Sequence, residues 1–188
     1  MTLRSGPADN RPSGRPTGKS RTASRLTTVL AIVSVCAMGW STLGDCPVRV
    51  VYNASDSVPS GWYRITPAGS IAVGDVVLVE LPPAAAALAA SRGYLPRAVP
   101  LLKPVVATAP QKVCAVGPRV SVDGMDVANV LEHDRLGRPM PRWGGCQRLA
   151  GDEILLLGVD NAESFDGRYF GPVSLGSVLG KAHPMLLD

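Results

Sequence analysis

The sequence predicts a mostly β domain of short strands with one short exported helix, preceded by a single N-terminal transmembrane helix. Three observations predict this class. The 188 residues include 20 glycines and 17 prolines, and both residue types interrupt helices, which excludes a helical bundle. Short β-branched runs separated by turn residues recur after residue 45. One long run, residues 26–43, is apolar and carries no charge.

The first 25 residues form a basic tail that is predicted to be disordered and cytoplasmic. The whole chain has 19 lysines and arginines against 15 acids, a net charge of +4. Residues 1–25 hold six of the basic residues and one acid, so the rest has 13 basic and 14 acidic side chains, a net charge of −1. Such a body lacks the basic face of a nucleic-acid-binding domain, and we expect no nucleic-acid partner. The tail is rich in Ser, Thr, Pro, Gly and Arg, a composition typical of disorder.

Residues 26–44 are predicted to form a transmembrane signal anchor. The first 18 of them contain no charge, and about 18 apolar residues are the least that cross a hydrocarbon core of about 30 Å. Basic residues precede the run and none follows closely, which predicts a cytoplasmic N-terminus and an exported domain, residues 45–188. Two alternatives stay open: a cleaved signal peptide, which has the same order of charge and apolar run, and a buried helix of a soluble domain.

The four cysteines fit an exported domain that holds neither a metal nor another cofactor. Cys36 lies in the apolar run, and Cys46, Cys114 and Cys146 follow it. The sequence has no CxxC pair and no histidine near a cysteine, which argues against zinc. In an oxidising compartment two of the three exported cysteines are expected to pair. We favour Cys114–Cys146, which would close a loop of about 30 residues and contribute about 3 kcal/mol while Cys46 stays free; an all-reduced set is the alternative.

The exported part is predicted to consist of short strands joined by many turns. The strand candidates are alternating or β-branched runs, in chain order 48–52, 61–65, 75–80, 101–108, 112–116, 119–122, 125–127, 153–157 and 172–178. Asp123–Gly124 lies between two of them and is a strong hairpin signal. Ala84–Arg92 is alanine-rich, with prolines before it and Gly93 after it, which predicts a short helix. Residues 130–148 are polar and contain Gly and Pro, so we expect an irregular excursion there.

Ser57 is the candidate nucleophile of a first polar cluster, residues 53–63. Small residues together with Pro59 and Gly61 form a turn that can present the Ser57 hydroxyl. Ser57 follows the apolar run by about 14 residues, so even an extended chain keeps it within about 50 Å of the membrane. The alternative is an ordinary serine-rich loop without a chemical role.

Lys103 is the candidate general base. The chain has four lysines, and Lys103 lies within the apolar run Leu101–Ala107, where a solvated ammonium group would be misplaced. Burial disfavours the charged form of a lysine and lowers its pKa, by up to several units. A lysine that is neutral near pH 7 can take a proton from a serine hydroxyl. The alternative is an ordinary lysine that points outward from a strand.

A third polar cluster is the glycine-rich loop of residues 158–172. It contains Asp160, Ser164, Asp166 and Arg168, of which Asp166 and Arg168 are two residues apart and can pair across a turn. A solvated loop is the alternative. The two histidines of the chain have no serine or cysteine in a nucleophile-elbow context, which disfavours a Ser-His-Asp triad.

The order of these three clusters resembles the type I signal peptidase family, peptidase family S26, and most closely its conjugative-transfer branch, the TraF peptidases. Ser57–Tyr63 is similar to the serine box of that branch, Ser-x-Pro-x-Gly-x-Tyr, and Leu102–Ala107 is similar to the lysine box. Ser164–Gly171 is similar to the last box, usually Ser-x-Asp-Ser-Arg. The resemblance runs from Leu26 to Met185 and implies a signal-peptidase-like β fold.

The resemblance also implies a role for each matching residue. Ser57 would be the nucleophile and Lys103 the general base. Ser55 matches a position at which many relatives carry an oxyanion-hole hydroxyl, and Ser164 matches a serine that hydrogen-bonds the lysine. Asp166 and Arg168 match two residues that form a structural pair near the site in the family.

Two positions depart from the family pattern. The lysine box normally continues to Gly-Asp, where this chain has Pro110–Gln111, so the turn at this point is expected to differ. Gly167 replaces the usual serine of the last box. Neither position belongs to the implied dyad.

The function implied is that of a membrane-anchored serine endopeptidase, which uses a Ser57–Lys103 dyad to cleave an exported precursor such as a conjugative pilin. Its partners would be the precursor, the inner membrane and the conjugative transfer apparatus. An amine in place of water at the acyl-enzyme would give transpeptidation or cyclisation, and the sequence leaves this choice open. Two alternatives are a general signal peptidase with a broad precursor range and a non-catalytic periplasmic scaffold of the conjugation apparatus.

Overall fold

The computed structural model describes residues 19–43 and 49–188, which belong to two compact units, Met1–Cys46 and Pro47–Asp188. In the first unit the structure describes one helix, α1 (Lys19–Leu43). It contains the predicted apolar run but begins inside the tail predicted to be disordered, because extending a helix by one residue costs little once it has formed. Among the described residues, no helix combines the length and apolar character needed to cross a membrane. The other tail residues and Cys46 lie outside the described residues.

The second unit is mostly β, as predicted. Its elements are, in chain order, β1 (Val50–Asn53), β2 (Gly61–Thr66), β3 (Val76–Val79), α2 (Pro83–Arg92), β4 (Leu101–Thr108), β5 (Lys112–Val116), β6 (Arg119–Val122), β7 (Met125–Asn129), β8 (Gly145–Arg148), β9 (Glu153–Leu156), α3 (Gly167–Phe170), β10 (Val173–Ser174), a 3-10 turn (Leu175–Ser177) and β11 (Val178–Leu187). The strands form two antiparallel sheets. The larger has the order β1–β2–β11–β3–β4–β9–β10, and the smaller has the order β7–β6–β5–β8.

Two short sequence patterns, the glycine after the first exported helix and the Asp-Gly pair, have the backbone conformation that they predict. Gly93 follows the last residue of α2 and adopts a left-handed φ of 72°, a conformation that costs glycine little. The hairpin between β6 and β7 turns at Asp123 and Gly124, with φ of 49° and 86°, as expected for an Asp-Gly turn.

The central strands of the larger sheet are buried on both faces. Three groups of buried apolar side chains form the core; they include Val113, Val120 and Leu155 in the first, Tyr63, Leu78 and Leu102 in the second, and Val77, Val105 and Ile154 in the third. β3 and β9 each contribute to two of these groups, and β4 contributes to all three. A polar side chain in the middle of β4 therefore has no solvated face to occupy.

The disulfide Cys114–Cys146 is confirmed. It joins β5 to β8, where the two cysteines are opposite each other in the antiparallel register. The prediction of an irregular excursion over residues 130–148 was wrong for its last four residues, which form β8. All four are exposed, so no apolar alternation marks them as a strand; pairing with β5 decides their conformation.

The predicted strand 172–178 was also wrong in its extent. In that range Val173–Ser174 pairs with β9, a 3-10 turn follows, and Val178 begins β11, which continues to Leu187. β11 lies between β2 and β3. Lys181, His183 and Pro184 interrupt its apolar pattern, so the strand is recognisable mainly from its two partners.

Candidate active site

Ser57 lies in the loop that joins β1 to β2. Asn53 and Gly61 are paired at the end of this hairpin, so residues 54–60 form a loop that closes on itself. Gly61 has a φ of +138°, and a Cβ there would lie 2.2 Å from the carbonyl oxygen of Leu186 in β11. Only glycine fits this position, which explains its place in the Ser-x-Pro-x-Gly pattern. The Ser57 side chain is buried, with 9% of its residue surface exposed.

Lys103 brings the first and third polar clusters together. It lies in β4 and is 2% exposed. Its ammonium nitrogen donates a hydrogen bond to Ser57 Oγ and another to Ser164 Oγ, the latter at 2.6 Å. The two serine oxygens are 3.4 Å apart, so three side chains that are distant in the sequence form one buried polar group.

Burial lowers the pKa of Lys103 from 10.5 to about 8; the carboxylate of Asp166 opposes this shift and the charge of Arg168 adds to it. The low-dielectric surroundings disfavour the ammonium form, and a large share of the amine is neutral at mildly alkaline pH. A neutral amine within hydrogen-bonding distance of a serine hydroxyl can accept its proton. The arrangement therefore has the two requirements of general-base activation, contact and a matched pKa.

Asp166 and Arg168 form a buried ion pair. Arg168 Nε donates to Asp166 Oδ1 at 2.8 Å and Arg168 Nη2 donates to Oδ2 at 3.0 Å, and the exposure of the two residues is 0% and 2%. The same groups hold Gly158: its N–H donates to Asp166 Oδ2 at 2.8 Å, and its carbonyl accepts from Arg168 Nη2 at 2.9 Å. The pair thus acts on the site through the backbone of Gly158.

Gly158 is a site residue to which the sequence analysis assigned no role. A Cβ at this position would lie 2.8 Å from Ser164 Oγ and 3.3 Å from the Cβ of Ser57. The absence of a side chain lets the two serines approach each other. The glycine-rich start of the third cluster was the available signal, but it does not show which glycine faces the nucleophile.

The structure explains why position 167 has a glycine instead of the usual serine. A Cβ there would lie 2.7 Å from the carbonyl oxygen of Leu156 and 2.9 Å from the side chain of Leu155. In this chain α3 packs directly on β9, and only glycine allows that approach.

Ser55 is bonded to Asn53 rather than to the dyad. Its hydroxyl donates to Asn53 Oδ1 at 2.7 Å, so the single hydroxyl proton points into the turn. Asn53 is buried and was not singled out by the sequence analysis, although it opens the first polar cluster. An asparagine at the end of a strand usually hydrogen-bonds only the backbone about two residues further on. The hydrogen bonds of Asn53 to more distant residues of the turn depend on the fold, so the sequence does not indicate them.

A cavity of about 1050 Å³ opens on the dyad. Apolar side chains line much of it, among them Leu78, Leu95, Leu102 and Phe165. A second cavity of about 280 Å³ also reaches Ser57 and is lined by Asp56, Pro59 and Asp160. Ser57 therefore borders both cavities.

Residues 131–140 form one wall of the larger cavity. Asp134 ties this wall to the chain that follows α2, because its carboxylate accepts from the hydroxyl of Tyr94 and, at 2.7 Å, from Arg138 Nε. Desolvation opposes ionisation of Asp134, but these hydrogen bonds prevail and hold its pKa well below the usual range. The Asp134 carboxylate is therefore ionised at neutral pH, where it accepts both hydrogen bonds.

Neither histidine is a hydrogen-bond partner of Ser57 or Lys103. His183 shares a hydrogen bond of 3.1 Å with the hydroxyl of Thr66. His133 lines the larger cavity, and its backbone forms an isolated bridge with Pro139. In the part of the chain that the structure describes, no group of three or more His, Cys, Asp or Glu side chains is placed to hold a metal ion.

Comparison with known proteins identifies the family. The family model described as signal peptidase, peptidase S26, matches residues 21–186. The chain belongs to this family.

Two relatives of this S26 chain carry names from plasmid transfer. A probable conjugal transfer protein TraF from Sinorhizobium fredii is 33% identical over 185 residues, covering 93% of each chain. A plasmid transfer protein TraF from Escherichia coli is 28% identical over 178 residues, covering 89% of this chain and 98% of its own. The crystal structure of a signal peptidase I from Enterococcus faecalis matches with 15% identity and a TM-score of 0.35, covering 61% of this chain and 97% of that one.

Proposed function

We propose that the chain is a serine endopeptidase in which Ser57 is the nucleophile and Lys103 the general base. One observation carries the proposal: the buried nitrogen of Lys103 is hydrogen-bonded to both Ser57 Oγ and Ser164 Oγ. A buried lysine with serine hydroxyls as partners would be a poor choice for stability alone, since no carboxylate compensates its charge directly. The arrangement is explained if the lysine works as a neutral amine.

The reaction begins when neutral Lys103 accepts the proton of the Ser57 hydroxyl. Ser57 Oγ attacks the carbonyl carbon of the scissile peptide and forms a tetrahedral intermediate. Lys103 returns the proton to the leaving amine as the C–N bond breaks, and an acyl-enzyme ester remains. Lys103 then accepts a proton from water, which attacks the ester, and the proton returns to Ser57 Oγ as the acid product leaves.

Two groups are proposed to stabilise the oxyanion: the backbone N–H of Ser57 and the hydroxyl of Ser55. The Ser55 proton is donated to Asn53 in the resting state, so it must rotate toward the oxyanion when the intermediate forms. Ser164 orients the Lys103 amine toward Ser57. Asp166 and Arg168 keep Gly158 in place against the two serines.

The proposed substrate is an exported precursor that is matured for conjugative transfer, such as a pilin. Support comes from the names of the relatives, which refer to conjugal and plasmid transfer. The proposed location is the bacterial inner membrane, with residues 26–44 as anchor, residues 1–25 in the cytoplasm and the catalytic domain in the periplasm. The Cys114–Cys146 disulfide supports an oxidising compartment. The transfer apparatus is a proposed partner, and cyclisation would follow if an amine of the substrate replaced water.

The test is cleavage of candidate precursors by the full chain in membranes, compared with Ser57→Ala and Lys103→Ala. Each variant should lose processing while staying folded and membrane-bound. Ser70→Ala and Lys112→Ala change an exposed serine and an exposed lysine and should process normally. Activity within about tenfold of wild type in either dyad variant would remove that residue from the mechanism. Absence of any cleavage, with precursors still bound, would favour a non-catalytic scaffold.

A further inference from the structure

The Asn53 side chain bonds to both flanks of the nucleophile. Upstream of Ser57, its Oδ1 accepts from the N–H and the hydroxyl of Ser55, at 3.1 and 2.7 Å. Its Nδ2 also donates upstream, to the carbonyl oxygen of Ser55 at 2.8 Å. Downstream of Ser57, Nδ2 donates to the carbonyl oxygens of Val58 and Pro59, at 2.9 and 3.2 Å. One carboxamide therefore crosslinks the turn on either side of Ser57.

These contacts are internal to the turn, and one of them is buried. Asn53 is 7% exposed and its hydrogen bond to the carbonyl of Val58 is buried, so this carbonyl would lose its partner without the carboxamide. The other hydrogen bonds of Asn53 are partly buried. The loop of residues 54–60 lies between the paired residues Asn53 and Gly61, and a loop of this length has many conformations of similar energy unless it is crosslinked. Tyr63 adds a second support, since its hydroxyl donates to the carbonyl of Pro59 at 2.7 Å.

We propose that Asn53 is the positioning residue of the dyad, which holds the turn so that Ser57 Oγ stays in hydrogen-bonding contact with Lys103 Nζ. The inference rests on the proposed function for the role of Ser57 as nucleophile. Asn53 acts through Ser55 and Val58, the residues on either side of Ser57 that it binds. The Ser55 hydroxyl is part of the same hydrogen-bond network, because in the resting state it donates to Asn53 Oδ1.

The test measures acetylation of Ser57 by p-nitrophenyl acetate in the purified full chain in detergent. This small ester reports on the nucleophile without the natural substrate: Ser57 Oγ bonds to the acetyl carbon, nitrophenolate leaves, and Lys103 takes the hydroxyl proton. Mass spectrometry of the digest locates the acetyl group. Because a displacement of about 1 Å can cost about 100-fold in rate, Asn53→Ala should be acylated about 100-fold more slowly than wild type. Asn129→Ala, which changes an exposed asparagine of β7, should react at the wild-type rate.

The pH profile distinguishes positioning from general loosening of the fold. If Asn53 only orients the nucleophile, Lys103 stays buried and the rate of Asn53→Ala still rises with a midpoint at pH about 8. A midpoint that moves toward 10.5 would mean that water has entered the site, and a wild-type rate in Asn53→Ala would mean that the crosslink is dispensable. Either result refutes the inference.

A second variant covers failure of Asn53→Ala to fold. Asn53→Asp keeps the shape and the Oδ1 acceptor but loses all three donations of Nδ2, to the carbonyls of Ser55, Val58 and Pro59. A rate at least about tenfold below wild type supports the inference. An unchanged rate refutes it. No acetylation of Ser57 in the wild type would instead contradict the proposed function itself, and the inference would fall with it.

Discussion

Replacing Lys103 with methionine should change the pH dependence of stability, because burial lowers the pKa of Lys103 from 10.5 to about 8. Between these two values the unfolded chain binds more protons than the folded chain, so the wild-type free energy of unfolding rises with pH. Below pH 8 both states are protonated and the full cost of the buried charge remains. Above pH 10.5 both states are neutral and this cost is absent.

The interval between the two pKa values corresponds to about 3 kcal/mol, at about 1.4 kcal/mol per unit. Methionine has no charge, so Lys103→Met lacks this pH dependence. The variant also loses the hydrogen bonds to Ser57 and Ser164, at about 1 kcal/mol each. We therefore expect Lys103→Met to be about 2 kcal/mol less stable than wild type at the alkaline end and about 1 kcal/mol more stable at neutral pH.

Thermal unfolding of the detergent-solubilised chain from about pH 7 to about pH 11 measures this difference. For a chain of this size about 3 kcal/mol corresponds to about 6–12 °C, so the Tm of Lys103→Met relative to wild type should fall by that amount as the pH rises. Lys112→Met changes an exposed lysine and should show a constant difference. A difference for Lys103→Met that does not depend on pH would refute the lowered pKa, and with it the general base.

Three further outcomes are expected. Gly158→Ala should reduce peptide cleavage by about 100-fold, because its Cβ would lie 2.8 Å from the hydroxyl oxygen of the serine that binds the lysine; Gly151→Ala, which has open space around it, should cleave normally. Cys114→Ser combined with Cys146→Ser should lower the free energy of unfolding by about 3–4 kcal/mol in a reversible melt, since the crosslink spans a separation of 32 residues. In His133→Ala and His183→Ala the rate of peptide cleavage should still rise with pH as a single group, Lys103, loses its proton near pH 8. If wild type instead shows a rise near pH 6.5 that either substitution removes, histidine is the base.

Features that depend on a few neighbouring residues were predictable. The end of α2 at Gly93 and the turn at Asp123–Gly124 need a backbone conformation that few residues adopt, so the residue type alone indicates the structure. The apolar run around Lys103 indicated a strand, but it left open whether the lysine is buried or points outward, and the tertiary structure decided this. The Cys114–Cys146 pairing was favoured on the expectation of an oxidising compartment, and the structure contains it.

Features that depend on pairing across the fold were not predictable. The exposed strand β8 and the long strand β11 have no apolar alternation that distinguishes them from loops, and their partners decide their conformation. The same holds at the site. The sequence determined which side chains can carry acid-base chemistry, Ser57, Lys103 and Ser164 among them. Only the tertiary structure decided that Gly158 must lack a side chain and that Asn53 spans the turn, because contact distances between residues far apart in the chain arise from the packing of strands, which no local pattern encodes.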